Sequence, residues 1–483
     1  MLYRMLSSFA LSSLESVVVA VYYAALYLTP TNVRGVVRLF APIKARIEHL
    51  KLNISNQQPS LEVFSHFSLV VLFGASLLGS PTLAQSTALP ASSASLVAAK
   101  LPPEIIALRN AGTAALFNID YTTARNNFEE IRKQLPQHPA GDLYLAIATW
   151  LEHLYKNRRL QTSLYREESS FYAGADKAKE ETEGDKVDPA VDKAFRDRIQ
   201  QAKLKALTLY NRNKKDPDAL YFLGAVHGVL AGYEASTARK FFAALRNGSR
   251  NVDLHQKVIE LKPDYYDAYL SIGMYHYVVG SLPFALKALV AIGGVRGNKQ
   301  KGISELQTVV EKGTNADDAS VLLLAIYQNE KRPADALGVL QRLVNKYPRN
   351  YLLKLESAAT LVELKRHEEA YATFESLLKD ETAAAVADLV RFKYAEALVA
   401  NKEYGRAAEQ FLAVPQNKNA PAEMTTIALL RAGQVYDLAG RRNEAITQYK
   451  AVLARPNIYD SHEQAERGLK QAYVEKAHDK KSE

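Results

Sequence analysis

Cysteine is absent from the sequence of 483 residues. Its absence excludes disulfides, thiolate metal sites, a cysteine nucleophile and a lipid-modified N-terminal cysteine. The sequence also lacks the HExxH and GxSxG motifs, and no pair of carboxylates stands alone in an apolar setting. We therefore predict no enzymatic activity, no cofactor and no metal site.

Charge of one sign is not gathered into a stripe. The formal net charge is +9, and Lys and Arg are interleaved with Asp and Glu along the chain. A nucleic-acid-binding surface shows clustered basic residues, so we expect no nucleic-acid partner. Residues 156–188 are rich in charges of both signs and poor in apolar residues, which predicts a charged insertion.

The first 84 residues form a hydrophobic region that contains two apolar segments. Residues 9–28 are about as long as a membrane span requires, and five basic residues follow them. Residues 67–78 are shorter and precede small residues, so residues 63–84 are a candidate signal peptide with cleavage after Ala84. Residues 85–102 are rich in Ser, Ala and Pro and are predicted to be a flexible linker.

Two topologies place the rest of the chain beyond a membrane. In one, the first segment spans the membrane and the second crosses back or is cleaved. In the other, the true start lies after Met1 and only the second segment is genuine. Both predict an exported, periplasmic or secreted protein, or a membrane-anchored one whose folded part is not cytoplasmic. The alternative is that both segments are buried helices of a cytosolic domain.

A period of 34 to 38 residues runs through the C-terminal half. The alanines that mark it, separated by 34, 37 and 38 residues, are Ala336, Ala370, Ala407 and Ala445. Four positions after each stands a large residue: Leu340, Phe374, Phe411 and Tyr449. The spacing resembles that of the tetratricopeptide repeat, which consists of two helices, A and B. It predicts an all-α fold, a right-handed superhelical solenoid over residues 103–478.

Glycine recurs at the eighth place of helix A. The four copies are Gly112, Gly224, Gly273 and Gly433. A glycine inside a helix costs roughly 1 kcal/mol relative to alanine, so its recurrence at one register predicts a close contact between helices A and B. The large residue of helix B then fills the space between neighbouring repeats, which predicts that Phe374 is buried.

Two consecutive repeats in the middle of the array are stretched. Gly224 and Gly273 are 49 residues apart, and Gly273 is 51 residues from Leu324, the equivalent place in the next repeat. We predict interruptions at residues 233–250 and 282–301. Insertions of similar size in adjacent repeats are expected on one side of the solenoid, where functional loops gather.

The middle of the chain also carries a more specific block of residues. It reads Asp264-Tyr265-Tyr266-Asp267-Ala268-Tyr269, then Gly273-x-Tyr275-x-Tyr277, Ser281-Leu282-Pro283, and Gly293-Gly294 before Gly297. The block resembles a eukaryotic family of tetratricopeptide-repeat proteins associated with the mitochondrial outer membrane and with inclusion-body clearance. The resemblance covers about residues 189–378 and implies no enzymatic residues. The signal-like N-terminus departs from that family.

The inner face of a repeat superhelix is formed mainly by helix A, at its second, fifth, ninth and twelfth places. In the middle repeats these places include Tyr221, Met274, Tyr277 and Gln328. Tyrosine offers contact area with little loss of side-chain entropy, which favours a protein or peptide partner in this groove. The alternative is that these tyrosines are packing residues.

A glycine-rich basic loop precedes the second helix of the fourth repeat. Its glycines have the spacing of a phosphate loop, but the Gly-Lys-Ser/Thr that the motif requires is missing. Arg296, Lys299 and Lys301 make the loop a candidate anion site ahead of a helix N-terminus. The alternative is a solvated turn between helices.

Two histidines, His227 and His276, occupy the same place in adjacent repeats. No carboxylate at ligand spacing accompanies them. We interpret them as hydrogen-bonded structural residues and not as a metal pair.

Three functional hypotheses follow from the sequence. The first is an exported, non-enzymatic scaffold that binds a protein or peptide in its concave face. The second is a membrane-anchored structural or tethering protein. The third is an enzyme built on helical repeats.

Overall fold

The computed structural model describes residues 100–158, 160, 187–238, 240–282, 287 and 296–474. All elements in these ranges are helical, and no strand occurs in them, so the predicted all-α class is confirmed. These residues belong to one compact unit. The predicted targeting region, the linker up to residue 99, and most of the charged insertion lie outside the described residues. Much of the predicted interruption at 282–301 does so too.

Seventeen α-helices in the described part form eight A–B pairs and one final helix. They are α1 Pro103–Phe117, α2 Tyr121–Gln134, α3 Ala140–Lys156, α4 Pro189–Arg212, α5 Pro217–Ser236, α6 Phe241–Leu261, α7 Tyr269–Ser281, α8 Lys299–Lys312, α9 Ala316–Asn329, α10 Pro333–Lys346, α11 Tyr351–Glu363, α12 His367–Lys379, α13 Ala387–Ala400, α14 Tyr404–Ala413, α15 Ala422–Leu438, α16 Arg442–Leu453 and α17 Ser461–Lys470. Short 3₁₀ segments are Tyr266–Ala268, Glu381–Val386 and Val414–Gln416. Helices α1 and α2 form repeat one, and the pairs continue to α15 and α16, which form repeat eight.

The eighth-place glycines lie where helix B comes closest to helix A. A Cβ on Gly112 would stand 2.3 Å from the ring of Phe128, and one on Gly433 would stand 2.7 Å from the ring of Tyr449. These distances are well inside van der Waals contact. Phe374 is buried as predicted. The register inferred from the repeat period is therefore correct in the described repeats.

A left-handed residue ends helix A in six repeats. It stands two positions after the helix and has a positive φ at Ile119, Arg158, Lys331, Lys365, Lys402 and Gly440. Only repeat eight places glycine there, although an L side chain in this region costs about 1–2 kcal/mol. The turn is held by backbone bonds across it, such as Asp120 N–H to Ala115 O at 2.8 Å.

The two middle repeats are stretched in different ways. In repeat three, α5 has 20 residues and α6 has 21. The predicted interruption at residues 233–250 is wrong, because those residues lie mostly inside the two lengthened helices. In repeat four, a connection separates α7, which ends at Ser281, from α8, which begins at Lys299. The sequence distance between equivalent residues increases by a similar amount in both repeats. Longer helices and longer loops both add residues, so this distance does not distinguish them.

The array closes on itself, because repeats one and two contact repeats five to seven. The ring of Phe117 stacks on Tyr347 with centroids 4.7 Å apart, and the side-chain amide of Asn350 donates to the Phe117 carbonyl at 2.6 Å. Arg158 forms an ion pair with Asp388 further along. We call this set of contacts the closure. It turns helix A of several repeats towards a shared interior.

No helix among the described residues combines the length and the apolar character needed to cross a membrane. The two apolar segments of the N-terminal region lie outside these residues.

Candidate functional site: the concave face

The concave face of repeats three and four is filled by its own side chains. Tyr221 has an exposed fraction of 0%, its ring stacks on His255, and its hydroxyl accepts a hydrogen bond from Asn315 at 3.1 Å. Tyr277 is only 3% exposed, and its hydroxyl donates to Glu330 at 2.8 Å. Neither tyrosine is accessible to a groove ligand, which corrects the predicted contacts. Tyr221 packs on His255 and Tyr265, and Tyr277 is hydrogen-bonded to the next repeat through Glu330.

Two carboxylates, the partly buried Asp218 and the buried Asp267, lie at the second place of helix A in repeats three and four. Asp218 accepts a hydrogen bond from the Tyr265 hydroxyl at 2.8 Å. Asp267 accepts the backbone N–H groups of Thr314 and Asn315, each at 2.8 Å. Burial raises the pKa of both carboxyl groups above the usual range, and the hydrogen bonds oppose that shift. Each acid thus links its own repeat to the next.

The two remaining groove candidates have different surroundings. Met274 is partly buried and packs against the main apolar core. Gln328 is also partly buried, and it lines an apolar pocket on the concave face. The pocket has a volume of about 80 Å³. We call it the concave pocket.

Most residues of the concave pocket belong to helix A of repeats one, two, five and six, and the others lie next to these helices. Its lining residues are Thr113, Leu116, Phe117, Ile119, Tyr121, Leu151, Leu160, Val321, Leu324, Ala325, Gln328, Asn350, Leu352, Leu353 and Glu356. Val321, Ala325 and Gln328 hold the fifth, ninth and twelfth places of α9, and Thr113 and Leu116 hold the ninth and twelfth of α1. The pocket therefore includes places of the predicted inner face.

Polar groups are few in the concave pocket. Glu356 is the one charged residue among the described lining residues. Gln328 Nε2 donates to Glu356 Oε2 at 3.2 Å, and Asn350 accepts the N–H groups that begin α11. The Thr113 hydroxyl is buried and has no hydrogen-bond partner among the described residues. The described lining thus combines apolar walls with the hydrogen-bonded Glu356 carboxylate and the Thr113 hydroxyl.

The glycines of the basic loop serve close packing. A Cβ on Gly297 would lie 2.6 Å from the backbone nitrogen of Gly280. One on Gly302 would lie 2.4 Å from the carbonyl oxygen of Gly273. The backbone of the loop and of α8 rests directly on the backbone of α7, so the phosphate-loop spacing has a packing explanation.

The basic residues of this loop have partners that limit an anion site. The Lys299 ammonium donates to Glu330 at 2.7 Å. The side chain of Asn298 accepts the Lys301 N–H at 2.9 Å and caps α8. Arg296 and Lys301 remain exposed. The anion site stays a prediction, and the Lys299 ammonium is already bound to the Glu330 carboxylate.

The two histidines at the shared repeat position are hydrogen-bonded to neighbouring side chains. His227 Nδ1 lies 2.9 Å from Asn247 Oδ1, and burial lowers the His227 pKa. His276 Nδ1 lies 2.6 Å from Glu305 Oε2. Among the described residues, no group of three metal-ligating side chains comes together.

A third histidine, His255, was not identified from the sequence. It is fully buried, and its ring fills the space beside Gly224, where a Cβ would stand 2.4 Å from His255 Cδ2. It thus occupies the place that Phe128 and Tyr449 hold in repeats one and eight. In repeats one and eight, the helix B residue that contacts the eighth-place glycine follows it at the usual spacing. The longer helices of repeat three place His255 at a larger distance in sequence from Gly224, so that spacing does not identify it.

Comparison with known proteins gives two matches to family models. Residues 268–421 match the model of the Iml2/Tetratricopeptide repeat protein 39 family, and residues 427–457 match a tetratricopeptide-repeat model. A search of curated protein sequences gives no match.

Several solved structures share the helical-repeat fold at low identity. A tetratricopeptide-repeat protein from Parabacteroides merdae is 12% identical, covering 68% of this chain and 100% of its own, with a TM-score of 0.27. Yeast Tom70 is 12% identical over 76% of this chain and 88% of its own, with a TM-score of 0.32. The human IFIT1 dimer with PPP-AAAA is 13% identical over 82% and 95%, with a TM-score of 0.29. Similarity at this level adds nothing to the functional argument.

The helix pairs, their close-packed register and the family models define a tetratricopeptide-repeat protein, a class of protein-interaction scaffold. Within that class the chain resembles the Iml2/Tetratricopeptide repeat protein 39 family. The predicted resemblance is thereby confirmed, with the match reaching further towards the C-terminus than the sequence block suggested.

Proposed function

We propose that this chain is an exported, non-enzymatic scaffold that holds a segment of a partner protein in the concave pocket. The observation that carries the proposal is the origin of the lining residues. Val321, Ala325 and Gln328 occupy the helix A places that face the axis of a repeat superhelix. In repeats three and four, Tyr221 and Tyr277 at the corresponding fifth and twelfth places are buried, whereas Gln328 at the twelfth place of repeat five is only partly buried.

The closure supports the same assignment. Phe117 belongs to repeat one and Leu353 to repeat six, and both line the pocket. A pocket assembled from separate repeats has walls that are held in place before a ligand arrives. Such pre-organisation lowers the ordering cost of binding.

The pocket is tested by photo-crosslinking in the cells that make the protein. A benzophenone amino acid replaces Gln328 in one sample and the exposed, convex-side Glu368 in the control. We expect a discrete adduct from position 328 alone, and its loss when Ala325→Leu fills the pocket. An adduct of equal yield from both positions, or one that survives Ala325→Leu, would place binding elsewhere.

Export is supported by the apolar segments at residues 9–28 and 67–78 and by the absence of cysteine. N-terminal sequencing of the mature protein tests it. A start at Gln85 in the exported fraction is the expected result. A chain that retains its first apolar segment in the membrane fraction would favour the anchored tether. A full-length chain in the cytosol would overturn export.

A further inference from the structure

We infer that Asn247 is an acceptor for an N-linked glycan in the unfolded chain and that a glycan on it prevents repeat three from folding. Asn247 begins an Asn-Gly-Ser triplet, and Asn-x-Ser/Thr is the acceptor signal for N-glycosylation. It is the one such triplet after residue 84. The inference does not depend on the concave pocket, and it limits the route by which a folded molecule can be exported.

The triplet lies inside a helix, with its asparagine turned towards the protein. Asn247 is only 6% exposed, whereas Ser249 is exposed and nothing lies within 4 Å of a Cβ placed on Gly248. All three residues belong to α6, which is helix B of repeat three. The sequence signal alone would place such a triplet in a surface loop. Here the serine is accessible, and the amide that would receive the glycan is buried.

Both polar atoms of the Asn247 amide take part in the contact between α5 and α6. Its Nδ2 donates to Glu234 Oε2 at 2.8 Å, and its Oδ1 lies 2.9 Å from His227 Nδ1. Glu234 and His227 are each 6% exposed. A guanidinium nitrogen of Arg196 in α4 lies 3.9 Å from the other carboxylate oxygen of Glu234. The amide thus belongs to a buried network that connects α5, α6 and the second helix of repeat two.

Glycosylation would join a sugar to the buried nitrogen of this network. The donor is an oligosaccharide on a lipid diphosphate: Asn247 Nδ2 bonds to C1 of the first sugar and loses one proton, and the lipid diphosphate leaves. The product is a bulky, hydrated chain on an atom that lies between two helices. Protein interiors are close-packed, so the sugar has room only if α6 separates from α5. A glycosylated chain therefore cannot complete repeat three.

The order of folding and glycan transfer then decides how much folded protein forms. In the folded chain, the packing of α6 on α5 protects the Asn247 amide from the transferase. Export into a periplasm without the transferase leaves every molecule able to fold. Secretion through a glycosylating compartment divides the molecules into unmodified chains that fold and modified chains that do not.

The experiment translates the full chain, behind an added cleavable signal sequence, into microsomes that carry the transferase. All samples carry Asn53→Gln, which removes the other acceptor triplet, so that a glycan reports on Asn247. The glycan is detected as a mobility shift that peptide N-glycosidase removes, and folding is followed by limited digestion with trypsin. Chains with the glycan should be digested about tenfold faster than unmodified chains from the same sample.

Two control variants separate the position of the glycan from its presence. Ser249→Ala removes the acceptor signal at an exposed residue and keeps the Asn247 amide. Its chains should take no glycan and should resist trypsin. Lys215→Ser, added to Ser249→Ala, creates an acceptor at the exposed Asn213, in the turn after α4. Those chains should carry a glycan and still resist trypsin.

Two results would overturn the inference. If chains glycosylated at Asn247 resist trypsin as well as Ser249→Ala chains do, repeat three accommodates the sugar. If Asn247 takes no glycan while Asn213 takes one in the control, Asn247 is not an acceptor.

The protein purified from its own cells provides a second measurement. Peptide mass spectrometry should find Asn247 unmodified in the soluble, trypsin-resistant fraction, and a glycan on Asn247 in that fraction would refute the inference. A full-length chain in the cytosol would overturn export and leave the microsome result unaffected, so the two proposals fail separately.

Discussion

The guanidinium of Arg158 donates a hydrogen bond to the carboxylate of Asp388 at 2.5 Å, across 230 residues of sequence. The Asp388 side chain is fully buried, and that of Arg158 is 16% exposed. Asn417 donates to the same carboxylate at 2.9 Å. This pair ties repeat two to repeat seven and belongs to the closure together with the stacked rings of Phe117 and Tyr347.

Arg158→Ala should destabilise the protein by about 3 kcal/mol, because it leaves a buried carboxylate without its cation. Denaturant unfolding measures the loss, and hydrogen exchange should show lower protection in α3 and α13 together. Arg125→Ala breaks an exposed ion pair with Glu152 and should cost less than about 1 kcal/mol. Equal effects from the two variants would show that the closure contributes nothing to stability.

Gly224→Ala should be strongly destabilising, because the new methyl group would meet the buried ring of His255. Gly248 provides a matched control in α6, since nothing lies within 4 Å of the Cβ position there. Gly248→Ala should raise stability by about 0.5–1 kcal/mol through better helix propensity. Thermal unfolding measures the stability change of both variants. If both variants change stability in the same direction, the close contact between Gly224 and His255 is contradicted.

Acid should weaken the interface between repeats three and four through His255. Its Nε2–H donates to the Tyr221 carbonyl at 3.1 Å, and its Nδ1 lies 2.6 Å from the Ser271 hydroxyl of repeat four. Burial lowers the His255 pKa to about 4 from the usual 6.5. Between these values the unfolded chain binds more protons than the folded one, so stability falls as the pH decreases.

The loss from His255 should approach about 3 kcal/mol at pH 4. Urea unfolding at pH 7.5 and pH 4.5 measures it, and His255→Gln should make stability less dependent on pH. The pKa of His227 is also lowered by burial, so a smaller dependence of the same sign should remain. If the stability difference between pH 7.5 and pH 4.5 is the same in His255→Gln as in wild type, the pH dependence does not come from His255.

Phe374→Ala should cost about 3–5 kcal/mol of unfolding free energy. The ring is buried between helices and stacks on Tyr394 with centroids 5.3 Å apart. Ser376→Ala on the exposed side of α12 is the control and should change stability by less than about 0.5 kcal/mol. A stability equal to wild type in Phe374→Ala would be incompatible with the register.

Local spacing was sufficient to predict the helix pairs and the face of each helix that points inwards. The eighth-place glycines and the buried Phe374 follow from contacts within one repeat or between neighbours, which a sequence period records. Gln328 lines the concave pocket, and its role in binding stays a prediction. The length of α5 and α6 was missed, because a period gives the number of added residues but not their conformation.

The sequence could not predict which residues of the concave face are buried. Tyr221 is buried against His255 and Asn315, and the closure joins Phe117 to Tyr347. The partners in each contact are far apart in the chain, and no sequence pattern around one of them indicates the other. The pocket around Gln328 arises from the same closure, so its position was equally hidden.

The closure also constrains how such a chain can evolve. Arrays whose units touch only their neighbours can gain or lose a unit, because each junction resembles the last. Here a duplicated unit between repeats two and seven would carry Asp388 away from Arg158 by the width of a helix pair. Duplication or loss of a unit should be tolerated beyond repeat seven, where α15, α16 and α17 lie, and selected against before it.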